Sequence, residues 1–332
     1  MAPFDKQGLG PSSSASEQAE QQMTTLLVTQ GNFADHQTPP GHPERADRMR
    51  AIERGLAGPR FAELVRRVAP EGDLSLARLV HDEGYLEALA RIRPAEGMAQ
   101  IDEDTFIAAG SLDAAATALG GAVAALDAVA LGEVQNAFCA ARPPGHHAER
   151  ARPMGFCLVN TVAVLARVAQ KKHGAERIAI VDFDVHHGNG TEDIFQDDPT
   201  VLYASTHQMP LYPGTGSPRF TGVSHNIVNC ALESGSGTRA LRTAYDDRIF
   251  PAIEAFRPDF LLVSAGFDAD ARDPLAGLNW EADDYRWLTR ELCGLATRLC
   301  DGRVISLLEG GYSLEALEED VAAHVETLMA CG

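Results

Sequence analysis

The segment Asp182-Phe-Asp-Val-His-His187 sets two carboxylates and two imidazoles within six residues. Asp184 and His186 stand two residues apart where an apolar run of strand length ends, so their side chains project to the same side and can hold one ion. A third donor, Asp268, ends another such run in Ser264-Ala-Gly-Phe-Asp268. Two carboxylates and one imidazole suit zinc, and three protein ligands leave a position for water and substrate, as in a catalytic rather than a structural site. Asp-x-His alone could equally be a hydrogen-bonded pair capping a strand. The neighbouring His187-Gly-Asn-Gly190 and the distant Gly266-Phe-Asp268 favour the metal. His187 points away from His186 and reads as a buried, hydrogen-bonded histidine. Asp182 shares the parity of Asp184 but lies deeper, where a carboxylate needs a histidine or a bound cation beside it.

Positioning these groups requires a sheet. Short apolar runs recur at Thr25–Thr29, Asn136–Ala140, Arg177–Asp182, Val201–Ser205, Asp259–Ser264 and Arg303–Leu308, as expected of strands covered on both faces. Helical spacing fills residues 45–56, 111–131, 159–172, 239–256, 281–300 and 313–330. The alternation predicts an α/β fold, a single domain with a central, mostly parallel sheet and helices on both faces. Polar residues follow five of the strands: His146-His147, Asp184 with His186 and His187, His207, Asp268, and Glu309-Gly-Gly-Tyr312. Ligands of open parallel sheets bind beyond the carboxyl ends of the strands, so these residues are expected to converge there.

Bulk composition narrows the function. A net charge of −19 without clustered Lys or Arg argues against direct binding to nucleic acid and fits a cationic partner, although an acidic surface also serves solubility. Six cysteines without a Cys-x-x-Cys pair suggest buried free thiols in a reducing compartment. No stretch reads as a membrane span or a signal peptide, so the expectation is a cytoplasmic protein with no membrane partner. Residues 1–22 read as a flexible leader, native or left from cloning, with Met23 as an alternative start, and residues 23–332 as the catalytic domain.

His42-Pro-Glu-Arg45, Arg142-Pro-Pro-Gly-His-His-Ala148, Gly155-Phe-Cys157, Asp182-Phe-Asp-Val-His-His-Gly-Asn-Gly-Thr191, Tyr212-Pro-Gly-Thr-Gly216, Ser264-Ala-Gly-Phe-Asp268 and Leu308-Glu-Gly-Gly-Tyr312 together resemble the histone deacetylase family. The likeness is to its class II-like bacterial branch, which includes acetylpolyamine amidohydrolases. The resemblance implies an arginase/deacetylase-like fold, with Asp184, His186 and Asp268 as the ligands of one catalytic Zn2+. It makes His146 and His147 the histidine pair, with His147 the general base and acid, and Tyr312 the oxyanion donor. Asp182 would orient His146, and Asn189, a neutral amide, would serve His147. Phe156 and Tyr212, with Gly155 and Gly310, would shape a narrow acyl tunnel with Asp102 or Asp104 at its rim. One or two structural K+ ions are implied, at Asp182 with Ser205 and at Phe195 with Val201.

Such a site would hydrolyse an amide, with metal-activated water, histidine as base and acid, and tyrosine on the oxyanion. Gly310 and Gly311 would permit the backbone that turns Tyr312 inward. The expected substrate is acyl-lysine in a protein or peptide, the alternative an acetylated polyamine or other small amide. Two rivals are weighed. Asp268-Ala-Asp270 with Asp273-Pro274 also resembles arginase-like binuclear manganese hydrolases, but Gly188 stands where those need a further carboxylate. A non-catalytic acyl-lysine-binding module would be expected to lack a catalytic residue, and none is missing. Oligomer formation is left open.

Overall fold

The computed structural model describes residues 24–332; the leader assigned to residues 1–22 lies outside them. The central sheet has eight strands: β1 Thr25–Thr29, β2 Val65–Val68, β5 Asn136–Ala140, β6 Ile178–Asp182, β7 Val201–Gln208, β8 Ile227–Leu232, β9 Phe260–Ala265 and β10 Val304–Leu308. A separate antiparallel hairpin holds β3 Met98–Gln100 and β4 Phe106–Ala108. The sheet order is β2-β1-β5-β10-β9-β6-β7-β8, and every neighbouring pair runs parallel.

Alternate residues of the interior strands feed two different cores, which is why these runs are apolar throughout. Ala179 and Val181 of β6 join one core, together with residues of α1 (Asp47–Gly55), α8 (Ala282–Leu299) and α9 (Leu314–Cys331). Ile178 and Ile180 join the other, with α3 (Ser111–Ala130) and α4 (Thr161–His173). Helix ends follow local chemistry: the Asn160 side chain caps α4 by accepting from Ala163 N at 3.0 Å, and Gly174 ends it at φ +69°.

Two expectations need correction. Residues 239–256 do not form one helix: α6 (Thr238–Ala244) and α7 (Phe250–Phe256) are separated by a π-helical turn at Tyr245–Ile249, next to Pro251, which has no N–H to offer the ladder. And α3 is, by length and composition, apolar enough to cross a membrane, yet 78% of its apolar window is buried within the fold. Its composition is that of a core helix laid on the sheet. α2 (Glu83–Ile92) and the short α5 (Asn189–Phe195) are further α-helices among the described residues, and α5 follows directly on the His186-His187 turn.

Candidate active site

β5, β10, β9 and β6 are consecutive in the sheet, and the turns after them bring the predicted residues together. Donor atoms of Asp184, His186 and Asp268 lie within 4.8 Å of one another, all three residues buried. His186 Nδ1 stands 3.1 Å from Asp184 Oδ1 and 3.2 Å from Asp268 Oδ2. The second oxygen of each carboxylate is tied to the scaffold: Asp184 Oδ2 accepts from Gly310 N at 2.8 Å and Asp268 Oδ1 from Val185 N at 2.9 Å.

The electrostatics of this trio are those of a cation site. Burial, with Asp184 beside it, raises the Asp268 carboxyl to about 7. Burial on its own would depress His186, yet the two carboxylates hold it up at about 10. Two buried acids facing one imidazole thus compete for positive charge, and the donor set of two oxygens and one nitrogen fits zinc.

The adjacent histidines are set apart by their partners. His146 Nδ1–H donates to Asp182 Oδ2 at 3.0 Å; His147 Nδ1–H donates to Asn189 Oδ1 at 2.8 Å, an oxygen identified by the Asn189 Nδ2 bond to Glu149 Oε1 at 2.7 Å. Burial would lower His146, but Asp182, Asp184 and Glu309 hold it well above the usual histidine range. Burial, then the charges of His146 and His186, push His147 well below it. The two rings are thus shifted in opposite directions, His147 toward the neutral form and His146 toward the cation.

A cavity of about 360 Å3 leads to these groups, lined by His147, His186 and Tyr312 and by the predicted walls Gly155, Phe156 and Tyr212. Gly155, at φ +56°, lies so close to His147 that a Cβ there would strike its ring. Phe156 holds φ +68°, a left-handed value that is costly for a non-glycine residue, and its ring meets Tyr312 edge-on at 5.9 Å. At the mouth, Asp104 and Glu103 line the cavity. Asp102 instead turns back to accept from Thr105 N at 2.7 Å and Asp104 N at 3.1 Å, so the rim acid facing the cavity is Asp104.

Gly310 and Gly311 play different parts. Gly311 has the positive φ, +120°, whereas Gly310 is needed for closeness: a Cβ there would fall on the Asp268 and Asp184 carboxylates. Tyr312 N donates to Asp273 Oδ2 at 2.7 Å, and the Arg48 guanidinium lies 5.1 Å over its ring and bonds both Gly311 O and Glu309 O. Burial, and then the Asp268 charge, keep the Tyr312 phenol well above its usual range, hence protonated.

Around Asp182, Tyr203 donates its hydroxyl at 3.0 Å, and Ser205 and Ser264 are its register partners on the two flanking strands. Ser205 Oγ bonds His207 Nδ1 at 2.9 Å; the buried Ser264 hydroxyl has no hydrogen-bond partner among the described residues, the kind of orphan a cation beside Asp182 would satisfy. At the other expected potassium position, the carbonyls of Phe195 and Val201 both accept from Asn226 Nδ2. His187 is the structural histidine expected, bonded to Thr215 Oγ1 at 2.7 Å and Glu192 Oε2 at 3.1 Å. Asp270, the residue shared with the arginase-like motif, is paired with Arg272 at 2.9 Å.

Sequence reasoning gave no role to Glu309, Asp273, His42 or Arg48. Glu309 Oε2 accepts from Gly145 N at 2.6 Å and His146 N at 3.1 Å, tying the histidine loop to the tyrosine turn. His42 lines the cavity between Phe106 and Phe156, at ring distances of 5.6 and 4.8 Å. A buried acid at a strand end and a histidine in a Pro-Glu-Arg motif were the available signals.

The chain is similar to known proteins along most of its length. The family model described as "Histone deacetylase domain" matches residues 42–328. A "Probable deacetylase" of Archaeoglobus fulgidus is 40% identical over 299 residues, 88% of this chain and 82% of that protein. A "Histone deacetylase-like amidohydrolase" of Pseudomonas aeruginosa is 37% identical over 297 residues, 87% of this chain and 77% of that one. The crystal structure of the HDA15 HD domain superposes with a TM-score of 0.87 at 34% identity, covering 93% of this chain and 89% of that chain. A match over nearly the whole described chain, on the fold and at these identities, means that this protein belongs to the histone deacetylase family and is a hydrolase acting on amide bonds.

Proposed function

We propose that the chain is a zinc-dependent amidohydrolase that removes acetyl or other acyl groups from amines, with acyl-lysine in proteins or peptides as its foremost substrate and a cytoplasmic location. The observation that carries this reading is the cavity of about 360 Å3 that ends on His147, His186 and Tyr312, with the Asp184, His186 and Asp268 donors behind it.

Zinc held by Asp184, His186 and Asp268 would supply Lewis acidity to the acyl carbonyl and acidify the attacking water. The chain's own residues do the rest. His147 Nε2, unprotonated, takes the proton from water, with Asn189 fixing the ring's tautomer. His146, held cationic by Asp182, stabilises charge and supplies the acid half of the pair toward the departing amine. Tyr312 donates its hydroxyl to the oxyanion as it forms. Phe156, Tyr212, Leu211 and Leu275 exclude water along a slim acyl chain, and Asp104 and Glu103 favour a cationic or peptide-borne substrate at the mouth. The same acidic mouth suits an N-acetylpolyamine, which is the second reading. A monovalent cation is proposed beside Asp182, Ser205 and the unpartnered Ser264 hydroxyl.

The test compares kcat/KM on acetyl-lysine peptides, longer acyl-lysine peptides and acetylated polyamines, with zinc supplied, in the native protein and Tyr312→Phe. The variant is expected to keep its zinc and lose roughly 100–1,000-fold in kcat. Full activity in Tyr312→Phe would sink the oxyanion assignment, and two tightly bound manganese ions per chain would sink the mononuclear zinc site. A polyamine preference over every peptide would replace the first substrate reading by the second.

A further inference from the structure

The turn between α5 and β7 directs three backbone carbonyls at one point. Phe195 O, Asp198 O and Val201 O lie 2.8, 3.1 and 3.1 Å from a single atom, Asn226 Nδ2, contributed by the chain entering β8. Converging carbonyls present the negative ends of their dipoles to one another and need a positive partner: a hard cation, or donor hydrogens. Here the partner is a side-chain amide. Its orientation is forced, because the reverse would press Oδ1 against three carbonyl oxygens. With two hydrogens for three acceptors, one bond is shared. Asn226 is 3% exposed, so bulk water is not the alternative. Its own carbonyl O accepts from Tyr203 N at 2.9 Å, which locks the residue to β7. Gly222, at φ +68°, leaves room for Asn226 Oδ1, which a Cβ at that glycine would approach to 2.5 Å.

We propose that the Asn226 amide is a built-in substitute for a monovalent cation: it takes the position at Phe195 and Val201 where a second potassium ion was expected, and braces the α5–β7 turn without one. The brace matters to the site because α5 begins at Asn189, the partner of His147. The inference does not depend on the zinc reading, since it concerns a turn away from the Asp184, His186 and Asp268 donors and is read without activity.

The experiment has two arms. Crystals of the native protein soaked in rubidium chloride are measured for anomalous scattering; the expected result is no ion bonded to Phe195 O and Val201 O, with the amide in place. A rubidium ion on those carbonyls with Asn226 swung aside overturns the proposal. In the second arm, Tm of the native protein and of Asn226→Asp is compared at pH 8 in choline chloride and in potassium chloride of equal ionic strength. A carboxylate facing three carbonyls is repelled unless a cation joins it, so the variant should fall below the native protein by roughly 4 °C or more in choline and recover most of that in potassium. A cation at Asp182 affects both proteins alike and cancels in the comparison. A gap that is the same in both salts means that the three carbonyls do not form a cation cradle, and the substitution idea fails; if Asn226→Asp does not fold, the rubidium measurement decides alone.

Discussion

His146 and His147 are chemically identical neighbours that the fold makes into opposites. The difference lies one bond further out: a carboxylate on His146 Nδ1 and an amide on His147 Nδ1. Asn189→Asp would give His147 a charged partner, stabilise its imidazolium and raise a pKa that burial and the His146 charge now hold well below the usual value. Since the base must be unprotonated, the acidic limb of the kcat/KM profile should move to higher pH, and activity at pH 6 should fall more than activity at pH 8. A limb that stays in place would show that His147 is not the titrating base. The three donor residues and the histidine pair were legible in the sequence because each follows an apolar run at a strand's carboxyl end. Glu309 follows such a run too, but its role, like that of Asp273, was not legible, since both accept backbone N–H groups from segments such as Gly145 and Tyr312, brought near only by folding. The rim was half legible: two aspartates were equivalent by position, and the turn of Asp102 onto Thr105 N leaves Asp104 facing the cavity.

At the scale of elements, the site depends on how closely the β10 turn approaches the β6 and β9 turns. Gly310 N reaches Asp184 Oδ2 at 2.8 Å only because no Cβ intervenes. Gly310→Ala is therefore expected to push the two carboxylates apart, at about 1–3 kcal/mol of overpacking, and to weaken retention of the proposed zinc on dialysis far more than it lowers Tm. Native zinc content with normal kinetics in this variant would show that the turn has slack the geometry does not reveal. The interior strands were readable because burial on both faces makes them continuous apolar runs. β2, Val-Arg-Arg-Val at one edge of the sheet, and β8, interrupted by Asn229 at the other, carry no such run and were missed. The single helix expected over 239–256 failed for a local reason, a proline inside an otherwise helical pattern.

Across the whole molecule, the site is anchored to the N-terminal segment through a fully buried ion cluster. Glu44 accepts from Arg142 at 2.6 Å through both carboxylate oxygens, lies 3.3 Å from Arg48 Nη1 and 3.4 Å from His36 Nε2, and Arg48 in turn holds the carbonyls of the tyrosine turn. Burial alone would raise the Glu44 pKa, but Arg142, with His36, holds it well below 4.5. A depressed folded pKa means stability that is present above the unfolded value, about 4.5, and lost as pH falls toward the folded one. Glu44→Gln keeps the shape but leaves two buried guanidinium groups short of a counter-charge, at a cost of about 3–5 kcal/mol near neutral pH. Its Tm at pH 7 should lie on the order of 10 °C below the native value. Because glutamine does not titrate, the native protein must lose more than the variant as pH falls below about 4.5, so the two melting temperatures converge on acidification below that value. Parallel Tm curves across that range would show that Glu44 is not ionised in the fold, and that the two arginines are held by the backbone carbonyls of Phe33, His36, Glu309 and Gly311 instead.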